Sequence, residues 1–207
     1  EQEWEDAIVE KAKYPFWIGI DKPKLKNNYD HLLHIPNFYE FKHNKDVVDN
    51  NIVGFAARME TRKCPHFLQG IKSELTTDPK DVLWWKRNLN IDTTDWKIYK
   101  FNYEFLGKFY NRDWGISHSA HIFEPFGYGI FQAIDYGKLP ILAQDWLTEY
   151  DYPFRAQSPE EFKKQYETIC KLSTKERQDY LVPLRDYLRK FDNKKQWRDK
   201  LLKLYNE

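Results

Sequence analysis

The chain has 207 residues, 41% of them hydrophobic and 17% aromatic, which suffices for one large domain or two small ones with a sizeable core. Lys and Arg (33) nearly cancel Asp and Glu (32), so no global field selects nucleic acid or a membrane, and any anion site must arise from local placement. Cys64 and Cys170 are the only cysteines and lack metal-ligand spacing, which argues against a disulfide framework or a Cys-rich zinc site and for a reducing, cytoplasmic setting. No apolar run approaches a membrane span, and the charged start EQEWEDAIVEKAK does not have the form of a signal peptide.

In chain order, residues 3–13 read as an amphipathic helix, with Trp4, Ile8 and Ala12 spaced by four. PFWIGI (15–20) reads as a strand, DKPKLKNN as a polar loop, and HLLHIPNF (31–38) as a second apolar run closed by Pro36 and Asn37. NIVGFAA (51–57) is a short apolar strand, and RMETRKCPHFLQGI after it predicts a turn and a helix beginning near Pro65. Residues 76–96 are polar and Trp-rich without a clear period, so no element is assigned there. WKIYKFN (96–102) alternates as a strand does, with Tyr103 beyond it at the sheet edge; WGISHSA (114–120) and LPILA (139–143) are further strands. From Ser158 onward three helices are expected, opened by Ser158, Ser173 and Asn193; Glu161 and Glu176 complete capping boxes in the first two. Strands alternating with helices predict an α/β domain with a Rossmann-like, mostly parallel sheet and a helical C-terminal tail. The expected division is a 1–30 helix and linker, a 31–190 domain and a 191–207 C-terminal helix.

The stretch HIFEPFGYGIFQAIDYGKLPIL (121–142) holds three of the chain's eight glycines beside an acid, Glu124. It places Gly127, Tyr128 and Gly129 where a strand turns into a helix, and ligands of open parallel sheets bind beyond the carboxyl ends of the strands. Free backbone amides and the positive end of the helix dipole favour an anion there, and glycine lets a phosphate approach. Glu124 is out of place for a bare phosphate. It fits a sugar phosphate, whose hydroxyls donate to a carboxylate.

EPFGYGIFQAIDYGKLPIL resembles the Glu-x7-Glu segment of retaining nucleotide-sugar-dependent glycosyltransferases with the GT-B fold, whose form is Ser-x-x-Glu-Pro-Phe-Gly, an apolar stretch, Glu-Ala and Gly-x-Pro-Val. Glu124, Pro125, Phe126, Gly127, Ala133, Gly137 and Pro140 fall in register with it. IVGFAARMETRKC is similar to the family's strand, Gly-Arg and Lys-Gly, and HIPN (34–37) to its hinge. The resemblance implies a donor-binding half spanning roughly 31–190, without a metal or cofactor, that takes a nucleoside-diphosphate sugar, foremost a UDP-sugar. In it Arg58 and Lys63 neutralise the leaving diphosphate, and Glu124 binds donor-sugar hydroxyls and completes the catalytic set. Phe126, the Gly127 and Tyr128 amides and His118 complete the donor site. Gln132 stands where the family has the acid that holds the ribose; Ala57 and Cys64 replace family glycines. The acceptor is left open (glycan, protein or modified DNA), and its site falls to an absent N-terminal half or to another chain. The absence of Asp-x-Asp argues against the metal-dependent glycosyltransferase fold.

Plainer readings stand beside these. Glu124 also suits a helix cap, Arg58, Arg62 and Lys63 a solvated turn, and Gln132 a structural hydrogen bond. His118, His121 and Glu124 recur at intervals of three, as metal ligands do, but a strand does not put such residues on one face; core or pocket histidines is the reading preferred. Tyr103 fits packing, and Arg185, Arg189 and Lys190 a solvated face. A second functional class, a non-catalytic carrier or interaction domain on the same fold, follows from Gln132 and the missing acceptor half.

Overall fold

Six strands make one sheet, all neighbours parallel, in the order β5-β4-β3-β6-β7-β8. They are β3 (Val53–Ala56), β4 (Ser73–Thr77), β5 (Trp96–Lys100), β6 (Ile116–Ser119), β7 (Leu139–Ala143) and β8 (Arg155–Ala156). The structure is a computed structural model that describes residues 37–122, 124 and 126–206, with 7, 9–11, 16–17, 20 and 33–34 nearer the start of the chain. Of the helix expected over 3–13, residues 7 and 9–11 are helical, while Trp4, Ile8 and Ala12 lie outside the described residues. The first two apolar runs supply β1 (Phe16–Trp17) and β2 (Leu33–His34), which pair in parallel as a separate small sheet. Ile35 and Pro36 of the hinge-like HIPN lie outside the described residues.

The strand order follows from where the apolar runs are richest. Val53, Phe55, Ile116, Leu139, Ile141 and Leu142 are fully buried, as strands covered by helices on both faces must be. From β3 the chain steps outward to β4 and β5, returns through a helix to β6 beside β3, then steps outward again to β7 and β8. The direction of winding reverses between β3 and β6. Gly54 is needed in β3, because a Cβ there would stand 2.2 Å from the buried ring of Trp114.

Four elements went unassigned from sequence, β4 among them. Within the polar stretch lies α1 (Pro79–Leu89): Asp78 caps it by accepting from the Lys80 amide at 2.9 Å, and Pro79 occupies its first position. Its period is hidden because Leu83 and Trp84 face outward while Val82 and Trp85 face inward. Asn102 caps α2 (Tyr103–Tyr110), which carries Tyr103 at its start, and β8 is only two residues long. The helix expected near Pro65 is a correction. The chain makes two 3-10 turns, Thr61–Lys63 and Pro65–Leu68, and Gly70, at φ +71°, then bends it into β4.

The helix after Gly127, α3 (Tyr128–Asp135), precedes β7, and the tail forms α4 (Pro159–Cys170), α5 (Thr174–Leu188) and α6 (Lys194–Asn206). Ser173 and Glu176 form a full capping box. At the first tail helix Ser158 accepts from the Glu161 amide at 3.2 Å, but the Glu161 carboxylate takes the Gln157 amide instead of that of Ser158. Asn193 caps the third, accepting from Gln196 at 2.9 Å. Arg185 is not on a solvated face: it is 5% exposed and donates to the Lys45 and Ile134 carbonyls, stitching α5 to α3.

The end of α3 carries a fully buried carboxylate that sequence reading passed over. Asp135 accepts from the amides of Lys42 (3.1 Å), His43 (3.0 Å) and Asn44 (2.7 Å) and from the Tyr39 hydroxyl (3.2 Å). It thereby fixes the 39–44 loop against the helix. Asp135→Ala strands these donors, each costing on the order of 1 kcal/mol when unmet. The expected loss is roughly 3 kcal/mol or more, read as a lowered urea midpoint; an unchanged midpoint contradicts the assignment.

Candidate functional site

In doubly wound sheets the crevice for ligands opens where the winding reverses, outside the carboxyl ends of the strands. Here that point is flanked by the loop after β3, residues 57–64, and the loop after β6, residues 120–127. Backbone and ring contacts lock the two loops together. The Ile122 amide donates to the Arg62 carbonyl at 2.7 Å, and His118 Nε2 donates to the Cys64 carbonyl at 2.9 Å. Strands 63 positions apart in sequence thus deliver the predicted basic loop and the Glu–Pro–Phe–Gly loop to one place.

At the centre, one oxygen of Glu124 takes two donors. Lys63 Nζ forms an ion pair with Oε2, and His121 Nδ1 lies 3.3 Å from the same atom. The side chains are 13%, 18% and 10% exposed for Lys63, Glu124 and His121, so the cluster is largely shielded from water. Burial by itself pushes the Glu124 carboxyl up, but the hydrogen bonds from His121 and Lys63 outweigh it and hold the group at about 2. Burial pushes the His121 imidazole down, against the pull of Glu124. A neutral ring that donates through Nδ1 leaves Nε2 as a bare acceptor, and Nε2 is buried without a hydrogen-bond partner.

Beside this cluster begins α3. Its N-cap is Gly127, held at φ +78° and ψ 50°, and no side chain caps the helix. The first amides, which helices leave unpaired, therefore lack a side-chain acceptor. Any side chain at 127 is strained by that φ, and its Cβ would meet Ile130 at 2.8 Å and the Trp146 indole nitrogen at 3.2 Å. The corner needs glycine for its shape, and the shape leaves the helix end bare.

The remaining predicted residues fall into different environments. Arg58 is not in the buried cluster: its side chain is 83% exposed, with the Glu60 carboxylate 3.6 Å away, and Arg62 holds the same carboxylate at 2.7 Å. Tyr128, half-exposed in the first helical turn, hydrogen-bonds Asn37 through its hydroxyl. Gln132 lies half-buried, one turn along α3. Two expectations require correction. His118 is 3% exposed; it accepts the Ala120 amide at Nδ1 (3.3 Å) and donates from Nε2, and burial pushes its pKa well down, so both nitrogens serve the fold and none is left for a ligand. Phe126 is 4% exposed, its ring stacked on Phe131 at 4.7 Å and edge-on to Phe191, so its side chain belongs to the core. The residue whose contacts sequence reading missed is His121, taken there as a core or pocket histidine; its spacing of three from Glu124 was the available signal.

The chain has the GT-B glycosyltransferase fold: a Rossmann-like parallel sheet with a closing C-terminal helix. A mutant of S. aureus TarM, solved in complex with Fondaparinux, alpha-GlcNAc-glycerol and UDP, superposes with a TM-score of 0.75 at 13% identity over 99% of this chain and 47% of that one. Sucrose-phosphate synthase from Thermosynechococcus elongatus gives 0.70 at 16% identity, over 99% and 60% of the two chains. The pneumococcal O-GlcNAc transferase GtfA, in complex with UDP and GlcNAc, gives 0.63 at 14% identity, over 100% and 44%. The chain therefore spans about half the length of these structures. No family model and no curated protein matches the sequence. No helix among the described residues is long and apolar enough to cross a membrane.

The carboxyl of Glu124 is held below its ordinary value of 4.5, so its ionised form stabilises the fold above that pH, and the stabilisation drains away as pH falls toward about 2. Wild type is expected to exceed Glu124→Gln by about 2 kcal/mol at pH 7, with the gap shrinking between pH ~4.5 and 3. Urea unfolding of both proteins across that range checks it; a gap that widens on acidification contradicts the charged, doubly bonded carboxylate.

Proposed function

We propose that this chain is the donor-binding half of a nucleotide-sugar-dependent glycosyltransferase, and that the crevice between β3 and β6 holds a nucleoside-diphosphate sugar. The carrying observation is the junction of Lys63, Glu124 and the uncapped start of α3 at the point where the sheet reverses its winding. The ammonium and the bare amides suit a diphosphate, and the carboxylate suits the hydroxyls of the sugar attached to it. The UDP in the complexes of TarM and GtfA supports UDP as the nucleotide.

In the proposed transfer the bond between the sugar's anomeric carbon and the diphosphate breaks, and the electron pair stays on the departing phosphate oxygen. Lys63 neutralises that charge. Arg58, loosely held at Glu60, swings onto the same group. Neither step calls on a metal. Glu124 holds the sugar by its hydroxyls while the Gly127 and Tyr128 amides hold phosphate, and Gln132, as donor and acceptor, meets the ribose. An acceptor hydroxyl then bonds to the anomeric carbon and passes its proton to the departing phosphate oxygen. The acceptor site belongs to the other half of a GT-B enzyme, in a longer form of this chain or in a partner.

Gln132 also favours a second reading, a domain that binds the donor without turning it over. Release of UDP from UDP-glucose by the chain decides against that version.

Titration calorimetry with UDP and UDP-glucose tests the main proposal. Saturable binding is expected, with Lys63→Ala weakening UDP about tenfold or more, the worth of one charge-assisted hydrogen bond. Glu124→Ala is expected to weaken UDP-glucose by a similar factor. Heat-silent, unsaturable mixing across UDP, GDP and their glucose and mannose conjugates sinks it.

A further inference from the structure

The imidazole of His121 poses a physical problem. The residue is 8% exposed, its ring lies edge-on to Phe55 at 6.1 Å and beside His118 at 5.5 Å, and Nε2 is buried without a partner. An unmet buried acceptor destabilises by roughly 1–3 kcal/mol, so a phenylalanine would fill the same space at lower free energy. The ring's one hydrogen bond runs from Nδ1 to Glu124 Oε2. The geometry of that carboxylate is lopsided as well. Both donors, Lys63 and His121, go to Oε2, and among the described residues no hydrogen bond goes to Oε1.

We propose that His121 is a positioning residue for Glu124: it holds Oε2 so that Oε1 faces the hydroxyls of the donor sugar, and it keeps that hold when the diphosphate draws Lys63 away. This rests on the donor-site reading above and deepens it. Among the described residues Lys63 is the one cation paired with Glu124, and a diphosphate competes for it directly. A half-buried carboxylate that loses its cation and every hydrogen bond takes up a proton and rotates freely. With Nδ1–H still in place it stays charged and in one orientation, so binding the phosphate does not disarm the group that reads the sugar. The neutral state of the ring favours this arrangement, because Nδ1 must then carry the single proton toward the carboxylate. Glu124 and Lys63 face the ring from the two loops, with Arg62 beyond them, and His118 lies beneath it; the Nδ1–H is aimed at the only carboxylate among these groups.

The test compares wild type, His121→Phe and His121→Asn by calorimetry, reading the ratio of UDP-glucose to UDP affinity. Phenylalanine keeps the ring and removes the donor; asparagine restores an N–H near the Nδ1 position. The ratio is expected to fall about tenfold in His121→Phe and to recover to within about threefold of wild type in His121→Asn. A wild-type ratio in His121→Phe overturns the proposal, and so does an equal fall in both variants, which would assign the effect to the ring itself. If wild type binds neither ligand, the donor-site reading fails instead, which is a separate result. Should His121→Phe not fold, the wild-type protein still decides. The hydrogen-bonded Nδ1 proton of His121 must persist in the NMR spectrum and move downfield when UDP is added, and its loss on UDP binding overturns the proposal.

Discussion

The whole arrangement depends on the parallel pairing of β3 with β6 at the centre of the sheet, Val53 against Ile116 and Gly54 against Ser117. That pairing is possible because Gly54 carries no Cβ to collide with Trp114. Once the strands are side by side, their carboxyl ends emit two loops within reach of each other. His118, the third residue of β6, then fastens the second loop to the first through the Cys64 carbonyl. A histidine whose nitrogens both serve the main chain acts here as a rivet. Its burial keeps it neutral, which is the state that can accept at one nitrogen and donate at the other.

From that rivet follows the chemistry of the neighbouring side chains. The two 3-10 turns after β3 meet at Cys64, in the left-handed region at φ 51°, and carry Lys63 into the crevice while Arg58 and Arg62 stay outside on Glu60. The loop after β6 brings His121 and Glu124 in from the opposite side. Neither loop makes a site alone. Lys63 without Glu124 is a half-buried cation in need of an anion, and Glu124 without Lys63 and His121 is a carboxyl that burial pushes toward neutrality.

Much of this was legible because the signals were local. Continuous apolar runs mark β3 and β7, Ser173 with Glu176 marks a helix start, and Gly127 and Gly137, both at φ +78°, mark turns that side chains disfavour. The meeting of Lys63 with Glu124 was legible only through motif order, since no local property announces a contact across 61 positions. What remained hidden depends on burial that sequence type does not report. Arg185, read as a surface cation, disappears beneath a helix because main-chain carbonyls satisfy it, and Asp135 does so because backbone amides surround it. Phe126 is a member of the motif yet serves the core: the motif constrains its backbone turn, and the ring fills the space behind it.

The pairing pattern also sets an order of events for an incoming anion. Among the described residues, three cations, Arg58, Arg62 and Lys63, and two carboxylates, Glu60 and Glu124, stand around the crevice, with every cation paired. A diphosphate bound as proposed would therefore not enter an empty positive pocket; it would exchange for carboxylates already there. The exchanges differ in difficulty. The Arg58–Glu60 pair, at 3.6 Å and with Arg58 83% exposed, is the kind worth about 1 kcal/mol or less, and it opens readily. The Lys63–Glu124 pair is shielded, and separating it leaves a buried carboxylate in need of another partner. On the proposed donor-site reading, an anion is met first by the outer arginine and only then by the inner lysine, and the second exchange is the one that would turn Glu124 from a counter-ion into a reader of hydroxyls. In that reading phosphate recognition and sugar recognition are one linked event, because they share a single carboxylate.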